Sequence, residues 1–212
     1  MTLILSYRRG EKFDNIIRAA ISVFAKYGYH QAQVSRIAEE AGVAAGTIYL
    51  YFENKQDLLI SVFRERFGQI VEHSKSQLED LPSPLDKLYR LVYSHYATLA
   101  QDPEFATVTQ IELRQSDPVI RTGISTVMRS YFEIIDGVVA LGQSQGQFDP
   151  SLDRRLMRNM IFGTLDQTAT AWVLSGMKYD LLTQVEPTYR LLLYGMAGGK
   201  GAIEGGGALR TS

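Results

Sequence analysis

Cysteine is absent from all 212 residues, and the only three histidines, His30, His73 and His95, stand far apart. The first absence excludes disulfides and thiolate metal sites, and the scatter of the histidines leaves no metal-ligand spacing, so no metal is expected. Long apolar runs are missing too: nothing approaches the roughly 18 to 20 consecutive apolar residues of a membrane span. The opening MTLILSYRRG sets its apolar stretch ahead of its charges, the reverse of a secretory leader. A cytoplasmic protein without membrane association is therefore expected. Neither sign of charge is in excess, since 22 Lys and Arg face 23 Asp and Glu for a net charge of −1. No G-x-S-x-G elbow, P-loop or dinucleotide glycine fingerprint occurs, so neither catalytic residues nor a cofactor are expected.

What is present is 45% hydrophobic residues and 10% aromatics, ample for a sizeable core. Every periodic segment has the helical period, and no long apolar/polar alternation bounded by hairpin turns is found, which predicts an all-α fold. Ile16, Ile17, Ala20, Val23, Phe24 and Tyr27 form one face of a first helix that is expected to stop at Gly28. A short second helix over about 34–41 presents Val34, Ile37, Ala38 and Ala41. Gly42 then suits a left-handed turn position, and a third helix is expected over about 45–51. Asn54 followed by Asp57 resembles a capping box that opens a long helix. Ser83-Pro84, Asp102-Pro103 and Asp117-Pro118 repeat one punctuation, a capping side chain followed by a proline at the first helical position. They predict helices over about 84–101, 103–115 and 118–145, the last closed by Gly146, with two more over about 152–175 and 184–195.

The segment VSRIAEEAGVAAGTIYLYF has the spacing of a helix-turn-helix: an apolar-faced helix, a glycine-containing turn and a short helix with free outer residues. Yet residues 41 to 52 contain no lysine, arginine or acid, and residues 1 to 57 carry seven Lys and Arg against six Asp and Glu. Contact with a polyanion therefore depends on placement rather than bulk charge. Ile37, Ala38, Ala41, Val43, Ile48 and Phe52 are expected to hold the small core together. Thr47 can reach a base edge or a phosphate, Ala45 or Leu50 a thymine methyl, and Tyr49 and Tyr51 can donate to phosphate oxygens. Lys55, beside the start of the fourth helix, is expected to meet the DNA backbone as a point charge. Arg36 and the Arg8-Arg9 arm supply further positive charge.

Joined to its surroundings, GYHQAQVSRIAEEAGVAAGTIYLYFENKQDLL resembles the TetR family of one-component repressors. The resemblance implies a three-helix DNA-binding head (1–53), a helical ligand-binding and dimerisation body (54–196) and, after it, a glycine-rich tail (197–212). Family positions that commonly contact DNA correspond here to Gln33, Ser35, Arg36, Ala45, Gly46, Thr47, Tyr49, Leu50, Tyr51 and Lys55. Many relatives have Thr where Gln33 stands and Lys where Ala45 stands, so a weak helix cap and a reduced electrostatic contribution are expected.

Within the family, ATVTQIELRQSDPVIR and MIFGTLDQTATAWVLSGMKYDL are similar to regulators of fatty-acid degradation that respond to long-chain acyl-CoA. That implies a repressor of β-oxidation genes released from a palindromic operator when acyl-CoA binds. An acyl chain needs a long apolar slot, each buried CH₂ contributing about 0.8 kcal/mol. Its candidate wall is Leu91, His95, Tyr96, Leu99, Phe105, Val108, Tyr131, Ile135, Phe162 and Trp172. Arg114 and Arg121 are candidates for the CoA phosphates, Arg114 because it follows an apolar-patterned stretch on a helix expected to face inward. Asp166, on a mostly apolar helix, can pair with an arginine or hydrogen-bond a ligand. The 152–175 and 184–195 helices correspond to the pair that forms the homodimer in the family, with Gly163, Thr164, Ala169 and Ala171 allowing close approach. Two other readings stay open: a repressor of this type with a free fatty acid, aromatic compound or drug as effector, and a helical lipid-binding protein without DNA function.

Overall fold

A computed structural model describes residues 10–197. The Arg8-Arg9 arm and, from residue 198 onward, the expected tail lie outside the described residues. Among the described residues the only regular structure is helical. The elements are α1 (Glu11–Gln31), α2 (Val34–Glu40), α3 (Ala45–Ile48), α4 (Lys55–Glu79), α5 (Pro84–Gln101), α6 (Pro103–Glu112), α7 (Pro118–Ser144), α8 (Arg154–Leu174), a 3₁₀ turn (Leu181–Gln184) and α9 (Val185–Met196). No described helix is long and apolar enough to cross a membrane.

The expected punctuation accounts for most boundaries. Asp102 accepts from the Phe105 N–H at 3.0 Å, Asp117 from the Val119 N–H at 2.9 Å, and Ser83 from the Leu85 N–H at 3.2 Å, each just ahead of a proline that opens its helix. Asn54 accepts from the Asp57 N–H, and the Asp57 carboxylate accepts from the Glu53 N–H, which starts α4. Gly28 breaks the first helix as expected, at φ 72° and ψ 156°, but one further turn follows before Ala32. Gly42 and Gly146 adopt the left-handed conformation their positions require.

Three boundaries differ from expectation. α3 ends at Ile48, and its continuation to Phe52 is a turn in which the Leu50 and Tyr51 N–H groups bond three residues back. α6 ends at Glu112, three residues early, because the Glu112 side chain is drawn into contacts with another helix, described below. Gln33, the N-cap of α2, makes no side-chain capping bond, in keeping with its standing where Thr is common.

Packing divides the chain into two compact units. One holds the described residues up to Gly68 together with Asp102–Met128; the other holds Gln69–Gln101 and the described residues from Arg129 onward. The expected division at residue 53 follows chain order, whereas packing groups α6 and the start of α7 with the helix-turn-helix.

In the first unit, α1 packs against both α2 and α6. Its core is built from Ile16, Ile17, Ala20 and Phe24 of α1, Ile37 and Ala38 of α2, Ile48, Phe52, and Leu58, Leu59, Val62 and Phe63 of α4, all buried. Phe13 stacks on Phe52 at 5.4 Å, which anchors the chain just after α3. Each such aliphatic or aromatic side chain contributes about 1.5–3 kcal/mol on burial, enough to hold a four-residue helix that has no stability of its own. In the second unit α9 packs on α5 and α8, and the Tyr96 hydroxyl meets Thr188 Oγ1 at 3.0 Å. Gly142 of α7 lets the Phe148 ring lie where a Cβ would otherwise stand.

Candidate functional site

The outer surface of the helix-turn-helix follows from which residues its core consumes. Ile37, Ala38, Ile48 and Phe52 are buried as expected, while Ala41 and Val43 are half-buried. Gln33, Ser35, Arg36, Ala45 and Gly46 are exposed and Thr47 is half-exposed. Tyr49 and Leu50 are 56% and 69% exposed, an arrangement that neither the core nor any aromatic partner explains. Tyr51 is half-buried against Phe13, with ring centroids 6.2 Å apart. Space around Gly46 is open, so packing does not demand a glycine there. The surface is thus short, neutral and amphipathic, suited to a groove that reads hydrogen bonds and thymine methyls. Arg36 lies 4.7 Å from the Tyr27 ring centroid. The neighbouring Lys26 and Arg36 hold that exposed phenol below its usual range.

Lys55 is placed differently from expectation. Its Nζ donates to the carbonyl oxygens of Tyr29, His30 and Ala32 at 2.8, 3.2 and 3.1 Å, and lies 4.6 Å from the Tyr29 ring centroid. An ammonium has three N–H donors, so all three are committed to the end of α1 and none is left for a phosphate. Burial lowers the Lys55 pKa, an effect partly offset by the charge of Glu112.

Glu112 is the functional residue that sequence reasoning missed. Buried at the end of α6, its Oε1 accepts from the Tyr29 N–H at 2.8 Å, and its Oε2 accepts from the Gln115 amide. Nearby, Gln56 of α4 donates to Asp117 at 2.9 Å, Arg66 of α4 pairs with Asp102, and Ser22 of α1 donates to Glu104 at 3.1 Å. Together these contacts tie α6 and the start of α7 to α1 and α4, within two residues of Gln33 where the helix-turn-helix begins. A signal was present: Phe105, Val108, Thr109 and Glu112 fall at i, i+3, i+4 and i+7, and all four are buried. The stripe that marks a core face therefore ended on a carboxylate.

That pattern also corrects the reading of Arg114. α6 stops before it, Arg114 is exposed, and its guanidinium donates to the Gln110 carbonyl at 3.1 Å; the charge that faces inward is Glu112. Arg121 is exposed in the first turns of α7. Phe105 and Val108 are buried in the first unit, with Phe105 edge-on to Phe67 at 5.9 Å.

The remaining candidate wall residues lie in the second unit. Leu91, Leu99, Ile135 and Asp166 are buried, and the Trp172 indole donates to the Tyr179 carbonyl at 2.8 Å. His95, Tyr131 and Phe162 come together. The His95 Nδ1 is 2.8 Å from the Tyr131 hydroxyl, and the Tyr131 ring is edge-on to Phe162 at 6.3 Å. Burial pulls the imidazole down from 6.5 to about 4 and pushes the phenol up, so both are neutral near pH 7.

On the outside of the same unit, Leu156 and Leu174 of α8 and Leu191 and Tyr194 of α9 are 64, 74, 68 and 52% exposed. Gly163 and Ala171 are exposed and Thr164 half-exposed, whereas Ala169 is fully buried in the protomer's own core.

Comparison with known proteins adds to this geometry. Residues 16–62 match the family model described as bacterial regulatory proteins, tetR family, and residues 63–195 match that described as YsiA-like protein, C-terminal region. A fatty acid metabolism regulator protein of Bacillus subtilis (strain 168) is 45% identical over 185 residues, covering 87% of this chain and 95% of the relative. The structure of the fatty acid degradation regulator FadR from Bacillus halodurans is similar at 48% identity with a TM-score of 0.84, covering 87% of this chain and 99% of that one. So is that of the transcriptional regulator FadR from Bacillus subtilis in complex with stearoyl-CoA, at 44% identity, a TM-score of 0.84 and the same coverage.

Proposed function

The chain belongs to the tetR family of bacterial regulatory proteins, and from that premise we propose that it is a cytoplasmic, homodimeric repressor of fatty-acid degradation genes, released from a palindromic operator by long-chain acyl-CoA. Its relatives are transcriptional regulators, not enzymes. The observation that carries the DNA-binding part is the exposure of Tyr49 and Leu50 on a unit whose core is otherwise closed. With Thr47, Ala45 and Gly46 they face the major groove; Tyr51, Gln33, Ser35 and Arg36 flank it and meet the backbone. Lys55 acts indirectly, fixing the end of α1 from which α2 departs.

The effector assignment rests on similarity along nearly the whole chain to a regulator whose structure holds stearoyl-CoA. A hydrophobic body with few ionised groups suits an acyl chain, whose buried methylenes contribute about 0.8 kcal/mol each. The exposed leucines of α8 and α9, flanked by Gly163 and Ala171, support a two-fold interface built from those helices. A two-fold dimer places its two reading helices about 34–36 Å apart, one turn of duplex. Ligand and operator then favour different conformers, and each weakens the affinity for the other.

Selection of duplexes from a random pool, followed by titration of the selected operator complex with stearoyl-CoA, tests this reading. Release at micromolar ligand is expected. A complex that withstands saturating stearoyl-CoA would overturn the effector assignment, and failure to select any duplex would overturn the repressor.

A further inference from the structure

The second unit contains a buried polar atom that its own fold does not use. His95 Nε2 is buried and has no hydrogen-bond partner among the described residues. The other ring nitrogen is engaged, 2.8 Å from the Tyr131 hydroxyl. A neutral phenol has one O–H to place; donated to Nδ1, it leaves the imidazole proton on Nε2, aimed away from Tyr131. The ring is held in that pose by Tyr131 and Tyr96, with centroids 5.8 and 5.9 Å away, and Tyr131 is braced by Phe162. An oriented donor is thus presented by aromatic surroundings in the body of the protein, and leaving it unpaired is unfavourable.

We propose that His95 recognises the carbonyl oxygen of an acyl thioester, its Nε2–H donating to that oxygen while Tyr131 fixes the tautomer. The proposal rests on the reading of the effector as a long-chain acyl-CoA, and it names the residue that distinguishes the thioester from other lipids of the same length. An uncharged donor among aromatic rings matches an uncharged acceptor. A carboxylate brought to the same place sheds far more hydration and finds no formal charge on the imidazole to offset it. A thioether of the same length fills the same apolar space but leaves Nε2–H unpaired, the situation in which polar sites discriminate most strongly. Tyr131 is a positioning residue: it touches His95, and its role is to decide which nitrogen carries the proton.

The test compares the Kd of stearoyl-CoA, of its thioether analogue S-octadecyl-CoA, which lacks the carbonyl, and of stearate. Wild-type protein is expected to prefer stearoyl-CoA over the thioether by about tenfold, equivalent to ~1.4 kcal/mol. In His95→Phe the two CoA ligands are expected to bind within about twofold of each other. His95→Gln, which keeps an N–H donor, should retain part of the preference. Tyr131→Phe should lower it without abolishing binding of the chain. Equal, tight binding of both CoA ligands to wild-type protein would overturn the role of His95 and leave the effector reading intact. If neither binds, both fall. Should His95→Phe fail to fold, the wild-type comparison and His95→Gln still decide.

Discussion

Replacing Glu112 tests whether α6 is mechanically joined to the helix-turn-helix. In Glu112→Ala the buried Tyr29 N–H loses the oxygen it donates to at 2.8 Å, Gln115 loses its acceptor, and Lys55 loses the nearby negative charge. An orphaned buried donor costs about 1–3 kcal/mol, and hydrogen bonds to charged groups contribute about 1.5–3 kcal/mol, so a total near 3 kcal/mol is expected. Glu112→Gln keeps a carbonyl oxygen for Tyr29 but brings an amide N–H₂ against that of Gln115 and removes the charge, for about 1 kcal/mol. Urea unfolding at pH 7 reads both losses as shifts in midpoint at constant slope. A double-mutant cycle with Lys55→Met should then show coupling of about 0.5–1 kcal/mol, since the two side chains share one network. Operator affinity is the second assay: at temperatures where Glu112→Gln is fully folded, it should bind operator more weakly, because the end of α1 is no longer fixed where α2 departs. Stability within about 0.5 kcal/mol of wild type for Glu112→Ala would refute the reasoning, since that is the range of an ordinary surface substitution.

Four other outcomes are expected. Gly142→Ala places a Cβ 2.0 Å from a Phe148 ring carbon that is itself buried, so the variant should lose about 1–3 kcal/mol in urea unfolding despite its better helix propensity. Gly46→Ala meets nothing within 4 Å and should match or exceed wild-type stability, while a weaker operator complex in a gel-shift titration is expected from the added methyl at the reading surface. The folded-state pKa of His95 lies at about 4 against 6.5 for the free side chain, so the unfolded chain takes up more protons between those values and stability falls as pH drops from 6.5 toward 4. That residue accounts for on the order of 2–3 kcal/mol, and His95→Phe should flatten the acid limb relative to wild type in unfolding measured at pH 7 and pH 4.5. Finally, with Lys55 committed to three carbonyls and no charge on α3, the dimer should neutralise fewer than about six phosphates, seen as a shallow slope of log K against log salt.

The features legible in the sequence were local ones. Ser83-Pro84, Asp102-Pro103 and Asp117-Pro118 cap and open their helices through contacts made within three residues, so their chemistry could be read without knowing the fold. The helix-turn-helix was equally visible, because Ile37, Ile48 and Phe52 must be buried for so short a third helix to persist. What stayed hidden depends on partners far along the chain. Lys55 beside a helix start reads as a phosphate ligand until the end of α1, some 25 residues earlier, is seen to lie across it. Arg114 reads as inward-facing until α6 is seen to end two residues before it, stopped where Glu112 engages Tyr29, 83 residues away. The candidate wall residues illustrate the same limit: apolar periodicity marks them as buried, but only the fold places Phe105 and Val108 in one unit and His95, Tyr131 and Phe162 in the other.

Reciprocity between the two ligands tests the central claim most directly. The Kd of stearoyl-CoA should be measured by calorimetry with the protein alone and with the protein saturated by its selected operator. If acyl-CoA and DNA favour opposite conformers, operator must weaken stearoyl-CoA binding by the same factor by which stearoyl-CoA weakens operator binding, about 5- to 150-fold for ordinary couplings. An identical stearoyl-CoA Kd in both states would contradict the account.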